Sequence, residues 1–199
     1  MPYLLTILAY LLGSISTAIL TCQLLGLPDP RTVGSNNPGA TNVLRVGGKK
    51  AAAITLLGDL LKSLVPVLIA KALGLSYGWQ LIVGFAAFLG HLYPIYYRFQ
   101  GGKGVATALG VYLGIHLWAG LAVVGTWLFV AKVLKFSSLA ALVATLLAPL
   151  YFYFFTSDGW LTLGLLLITA LIYWRHRSNI RNLIRGAEGK IQSGDSTKN

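Results

Sequence analysis

The chain has 199 residues, 56% of them hydrophobic and only 11% charged, with a mean hydropathy of +0.71. That balance excludes an ordinary soluble domain, where about a quarter of residues are charged. The sixteen Lys and Arg against five acids leave a net charge of +11. They sit in short stretches between apolar runs, with no basic-aromatic pattern and no nucleic-acid motif, so the surplus reads as positive-inside bias and not as an RNA or DNA footprint.

Six apolar runs cover about 2–27, 51–75, 79–97, 105–131, 136–156 and 159–174. Each is long enough, or nearly so, to cross a ~30 Å hydrocarbon core at ~1.5 Å per residue. The first has no basic residues before it and no cleavage site after it, which predicts a retained span and not a signal peptide. It holds Cys22, the single cysteine, which reads as a small core residue, since neither a disulfide nor a thiolate metal site can be made from one cysteine. The expected class is all-α: an integral membrane helical bundle forming one domain over 1–191, with a polar tail over 192–199.

Charge parity sets the topology. Arg31, Arg45, Lys49 and Lys50 follow the first run, which predicts an outside N-terminus and a cytoplasmic first loop. Three further simple passes after Lys103 would export Lys132, Lys135, Arg175, Arg177, Arg181 and Arg185. A reversal at Gly114–Trp118 repairs this by dividing the fourth run into half-helices over about 105–115 and 117–131, packed inside the bundle. About seven helices result, N-out and C-in, with Gly110 and Gly114 at the GxxxG spacing that permits close packing. His116 falls in the reversal and is assigned no chemistry. All basic residues except Lys62 and Lys71 then lie on the cytoplasmic side. Trp79, Tyr97 and Trp174, near span ends, read as interfacial anchors.

Three polar segments share that side. In 34–45, Gly34 and Gly39 permit close backbone approach, Ser35, Asn37, Thr41 and Asn42 offer hydroxyls and amides, and Arg45 offers a fork for phosphate. In 101–107, Gly101, Gly102, Lys103 and Gly104 enter a helix that carries Thr107; amides at a helix start plus one ammonium make an anion site, although the spacing is not that of a Walker loop. Past the last run come His176, Arg177 and Asn179, with His176 and Asn179 three apart on one helical face. Within the second run Asp59 and Lys62 are also three apart. They either neutralise each other or let Asp59 support a site cation, while His91 either lines the site from below or is a hydrogen-bonded interior histidine. The five acids, Asp29, Asp59, Asp158, Glu188 and Asp195, are scattered, so no metal is expected and a Mg²⁺ phosphotransferase is disfavoured. The alternative, a phosphate-ester transporter or small anion channel, would want matched halves with inverted repeats, and none is visible.

The three segments resemble the motifs of the bacterial membrane acyl-phosphate:glycerol-3-phosphate acyltransferases, the PlsY family. The pattern G-S-x-N-x-G-A-T-N-V-x-R is matched throughout 34–45, and G-G-K-G-V-A-T by 101–107. The third, H-R-x-N-I-x-R-L-x-x-G-x-E, is matched at His176, Arg177, Asn179, Ile180, Leu183, Gly186 and Glu188, with Asn182 where arginine is usual and Arg181 beside it. The resemblance implies acyl transfer from acyl phosphate to the 1-hydroxyl of glycerol 3-phosphate, releasing lysophosphatidic acid and phosphate, as the first step of bacterial phospholipid synthesis. It implies a cytoplasmic-side site in the inner membrane, no cofactor and no nucleic acid; the chain is expected to act as a monomer. Ser35, Arg45, Lys103, His176 and Asn179 are the expected catalytic residues. Gly34, Asn37, Gly39, Thr41, Asn42, Gly101, Gly102, Gly104, Thr107 and Arg177 would bind phosphate or substrate, with Asp59, Lys62, His91 and Glu188 in support.

An acyl phosphate is already activated, so positioning and charge stabilisation suffice for direct attack without an acyl-enzyme. A His followed five residues later by Asp is absent: Tyr96, Leu121 and Arg181 stand at that spacing after His91, His116 and His176. Either His176 or the substrate's own phosphate takes the hydroxyl proton. The second is preferred, because surrounding cations discourage a protein base from gaining charge.

Overall fold

A computed structural model describes residues 1–191; the polar tail expected over 192–199 lies outside the described residues. Among the described residues the chain is helical, with no strand: α1 (Pro2–Gly13), α2 (Thr17–Leu24), α3 (Ala40–Ala72), α4 (Tyr77–Leu92), α5 (Val105–Ile115), α6 (Leu117–Leu134), α7 (Ser137–Thr156), α8 (Gly159–Arg175) and α9 (Arg177–Ile184). A 3₁₀ turn covers Ile95–Tyr97. Local signals set several boundaries. Asp158 caps α8 by accepting from the Leu161 amide at 2.9 Å, and α6 and α7 end on left-handed Lys135 and Ser157.

The first apolar run is not one straight span. It breaks at Ser14–Ser16 with a bend of 41° between α1 and α2. Ser16 caps α2, and the carbonyl of Ile15, freed by the break, accepts from the Lys62 ammonium at 2.9 Å. A backbone group exposed in an apolar bundle must find such a partner.

The reversal in the fourth run is present, and His116 makes it: its Nδ1 accepts from the Ala119 amide at 3.3 Å and so caps α6. Lys71 donates to the Ile115 carbonyl at 3.2 Å, placing a cation at the negative end of α5. Of the two helices flanking the reversal, α5 alone is a half-helix. Its 11 residues reach about 16 Å, and eight of them are buried. In contrast α6 has 18 residues, runs to Leu134 and is long enough to cross, which corrects the expected end at 131. Gly110 and Gly114 face α3 so closely that a Cβ would meet the Leu60 carbonyl oxygen at 2.2 Å and Val67 at 2.7 Å.

The core lies where α4, α5, α6, α7 and α8 meet, around Phe88, Tyr112, Val123, Phe152 and Ile168. Cys22 is buried beside Ala18, Val43 and Ala51. The outer faces expose Leu57, Leu68, Leu128, Phe129, Phe154 and Leu167, an apolar girdle that water would not tolerate and lipid would. Trp174 is exposed at the end of α8, and Trp79 stands edge-on to Tyr3 at the start of α4. The bundle thus holds rigid helix ends around the segments that follow α2, precede α5 and follow α8.

Candidate active site

The first segment is part loop and part helix. The sequence reads 34–45 as a loop, but α3 already begins at Ala40, so Thr41, Asn42 and Arg45 are helical; Gly48, at φ 76°, then kinks α3. Asn42 does not face outward. Buried, it donates to the carbonyls of Pro30 at 2.8 Å and Val33 at 3.0 Å and accepts from the Ser35 amide at 2.9 Å. It is the brace of the loop and not a free ligand donor. Gly34 follows from it, because a Cβ there would lie 2.3 Å from the Asn42 Oδ1. Asn37 is half-buried against Gly39, and Thr41 Oγ1 pairs with Ser137 Oγ at 3.0 Å. Ser35 and Arg45 are exposed.

The second segment is held from two sides. Arg175 donates from Nε to the Gly102 carbonyl at 3.1 Å and from Nη2 to the Gly101 carbonyl at 2.6 Å. The Gly102 amide donates to the His91 carbonyl at 3.1 Å. Gly104 takes a left-handed φ of 82° into α5. Thr107 lies one turn on and is fully buried, with its hydroxyl unpaired among the described residues.

Lys103 crosses to the third segment, donating to Asn179 Oδ1 at 2.5 Å. The Asn179 amide donates to Glu188 Oε1 at 2.6 Å, and Ser138 Oγ donates to the same oxygen at 2.6 Å. Burial lowers the Lys103 ammonium from its ordinary value; Glu188 opposes that, while Arg175 and Arg45 add to it. His176 stands at the junction of α8 and α9. Its Nδ1 donates to the Ile172 carbonyl at 2.8 Å, which leaves Nε2 as an acceptor. Burial holds this imidazole down at about 4; the Ile172 bond and Glu188 oppose it, and Lys103 and Arg175 reinforce it. Arg177 donates to the Trp174 carbonyl at 3.1 Å and stacks on its ring at 5.1 Å.

Beneath the second segment lies a buried polar group. Asp59 Oδ1 accepts from Thr17 Oγ1 at 2.6 Å and pairs with Lys62 Nζ at 2.9 Å. Lys62 Nζ lies 2.9 Å from His91 Nδ1. Of the two roles the sequence leaves open for Asp59, neutralisation of Lys62 is the observed one. His91 is hydrogen-bonded inside the bundle, and its ring lies against Gly102.

The chain is similar to known proteins along almost its whole length. Residues 3–186 match the family model for Glycerol-3-phosphate acyltransferase. The chain belongs to that family. A glycerol-3-phosphate acyltransferase of Thioalkalivibrio sulfidiphilus is 64% identical over 96% of this chain and 93% of its own length. One from Hydrogenovibrio crunogenus is 58% identical over 92% and 88%. The crystal structure of PlsY, an integral membrane glycerol 3-phosphate acyltransferase, in its glycerol 3-phosphate form, superposes with a TM-score of 0.91 at 39% identity and covers 96% of both chains. Its lysophosphatidic acid form gives 0.88. The chain is therefore a multi-pass membrane acyltransferase.

This acyltransferase gathers Lys103, Asn179, Glu188, His176 and the Gly101–Gly102 backbone in one place, with Arg45 reaching toward Gly189 at 3.5 Å from where its Cβ would be. Sequence reasoning missed Arg175, Ser137, Ser138 and Thr17. Arg175 was legible only as one more positive-inside charge. The serines follow a short turn between apolar helices, and Thr17 sits inside an apolar run; neither position carries a motif. A separate open cavity of about 490 Å³, lined by residues that include Arg31, Tyr97 and Arg98, uses no residue of the three segments, and its Arg31 is paired with Asp29 at 2.6 Å.

Proposed function

We propose that this chain transfers a fatty acyl group from an acyl phosphate to the 1-hydroxyl of glycerol 3-phosphate, yielding lysophosphatidic acid and inorganic phosphate. The observation that carries the reading is the bond from Lys103 to Asn179, because it joins the second and third segments into one anion-binding surface. Arg45, Lys103 and the amides entering α5 suit two phosphate anions, and the apolar girdle suits an acyl chain lying in the bilayer. Relatives named for glycerol 3-phosphate, and a neighbour of known structure holding it, support the acceptor.

The glycerol oxygen attacks the acyl carbon directly. One carbon–oxygen bond forms, the carbon–oxygen bond to phosphate breaks, and the electron pair leaves with the phosphate. Lys103 and the loop amides stabilise the charge that develops. His176, neutral and with Nε2 free to accept, orients the hydroxyl; an imidazole held near 4 is a weak base, so the proton passes to a substrate phosphate. Residues 1–191 act as one domain and one monomer, N-out and C-in, with the three segments at the cytoplasmic face of the inner membrane.

The test is phosphate release by the purified protein from a long-chain acyl phosphate, with and without glycerol 3-phosphate. Release that requires the acceptor and yields lysophosphatidic acid is expected. Acceptor-independent release would indicate an acyl-enzyme, and glycerol 3-phosphate uptake into vesicles without any release would indicate a transporter.

A further inference from the structure

His91 has a ring nitrogen that the proposed mechanism does not use. The residue is 7% exposed at the end of α4, directly under the loop that carries Lys103. Its Nδ1 lies 2.9 Å from Lys62 Nζ. An ammonium has three hydrogens and no lone pair, so the nitrogen facing it must accept. Lys62 Nζ pairs with Asp59 Oδ1 at 2.9 Å and donates to the Ile15 carbonyl at 2.9 Å, which leaves its third hydrogen for His91 Nδ1; Asp59 Oδ1, the other group facing that nitrogen, is farther off at 3.5 Å. Asp59 is itself held by Thr17 at 2.6 Å. The ring's hydrogen is therefore on Nε2.

That nitrogen makes no hydrogen bond among the described residues. It lies against Gly102: a Cβ there would be 2.2 Å from Nε2 and 3.1 Å from the Pro38 carbonyl oxygen. It thus reaches the seam where the first and second segments touch. The absence of a side chain at Gly102 is what leaves the seam open to it.

We propose that His91 Nε2–H is an uncharged hydrogen-bond donor of the anion site, aimed at a phosphate oxygen of a bound substrate through the seam between Pro38 and Gly102. Asp59 and Lys62 are then positioning residues that fix its tautomer. This rests on the phosphate-ester reading above. His91 and His176 form a complementary pair: His176 gives its Nδ1 hydrogen to a carbonyl and offers a lone pair, while His91 takes a hydrogen at Nδ1 and offers an N–H. A neutral donor adds affinity for phosphate without adding to the repulsion among Arg45, Lys103 and Arg175.

Glutamine and asparagine variants separate this role from a purely structural one. The His91→Gln amide nitrogen approximates Nε2, whereas the His91→Asn oxygen approximates Nδ1 and can still accept from Lys62. In full-length protein purified in detergent, His91→Gln is expected to keep kcat/KM within about tenfold, and His91→Asn to lose about 100-fold, the scale of one lost donor to a reacting anion. Equal activity of the two, or a better asparagine, would overturn the proposal. Wild-type protein without acyl transfer would instead overturn the functional reading on which it rests. Should the variants not fold, nitrogen-15 spectra of histidine-labelled wild-type protein decide. The His91 hydrogen is expected on Nε2, with its resonance moving when glycerol 3-phosphate is added. A hydrogen on Nδ1, or no movement at saturating ligand, would refute it.

Discussion

Lys103 and Asn179 are joined across the site by a bond of 2.5 Å, and Asn179 is in turn tethered to Glu188 at 2.6 Å. A carboxylate near the end of the described chain therefore sets where the ammonium of the second segment points. Ser138, donating to the same carboxylate oxygen, ties this arrangement to the start of α7.

Glu188 should accordingly matter for turnover more than for folding. Glu188→Ala leaves the Asn179 amide without its acceptor and lets Lys103 swing. A lost hydrogen bond to a charged group is worth about 1.5–3 kcal/mol, so kcat/KM is expected to fall roughly 10- to 100-fold. Glu188→Gln keeps an acceptor oxygen and should fall by less. Steady-state kinetics beside a thermal-melting comparison would check this, and an Ala variant with native kinetics would rule out the tether.

Arg175 holds two adjacent carbonyls with one guanidinium. A lysine carries the charge but not the fork. Arg175→Lys should thus resemble Arg175→Ala, each losing about tenfold or more in kcat/KM, with KM for the phosphate substrates rising as the loop loosens. Full activity of the Lys variant would mean that charge alone matters at this position.

The sequence was most readable where chemistry and period coincide. Donor-rich segments between apolar runs stood out in the sequence, and the structure joins the second to the third through Lys103 and Asn179. Charge parity located the α5–α6 reversal to within a residue or two, because exporting six cations is costly and Gly114–Trp118 was the available break. It was least readable where tertiary partners decide. Asn42 looked like a ligand and is a brace, since nothing local reveals that the carbonyls of Pro30 and Val33 lie within reach. Arg175 looked like a topological charge because its carbonyl partners are more than seventy residues away in sequence. The bend at Ser14–Ser16 was hidden within an unbroken apolar run, and its stabilising partner, Lys62, belongs to another helix.

The pH behaviour distinguishes the two possible bases. His176 sits at about 4 against an ordinary 6.5. Because its folded value is depressed, both folded and unfolded states leave it neutral above about pH 7, and it contributes nothing to pH dependence there. As pH falls from 6.5 towards 4, the unfolded chain takes up a proton that the folded site refuses. Stability should decline through that window, by at most about 3 kcal/mol for this group. Activity should not follow an imidazole near 6.5. A fall near pH 6 is expected instead from the second ionisation of the phosphate monoester. The same limb should persist in His176→Ala, whose turnover drops less than the ~100-fold or more typical of a lost general base. A limb that disappears with the imidazole would assign the proton to His176.

The Asp59–Lys62 pair separates a structural charge from a useful one. Asp59→Ala strands an ammonium inside the bundle, and Lys62→Met strands a carboxylate; each is expected to cost about 3–5 kcal/mol. The double variant removes both charges and should recover much of that stability, because two buried ions are replaced by apolar groups. Recovery of stability need not bring recovery of activity. Without Lys62, His91 Nδ1 has no donor to hold it as an acceptor, and the ring can turn its hydrogen away from Gly102. The expected pattern is therefore a double variant that melts near wild type yet stays slow. Thermal unfolding in detergent, measured beside kcat/KM for all four members of the cycle, reads both quantities. A stable and fully active double variant would reduce the pair to packing and leave His91 without its anchor.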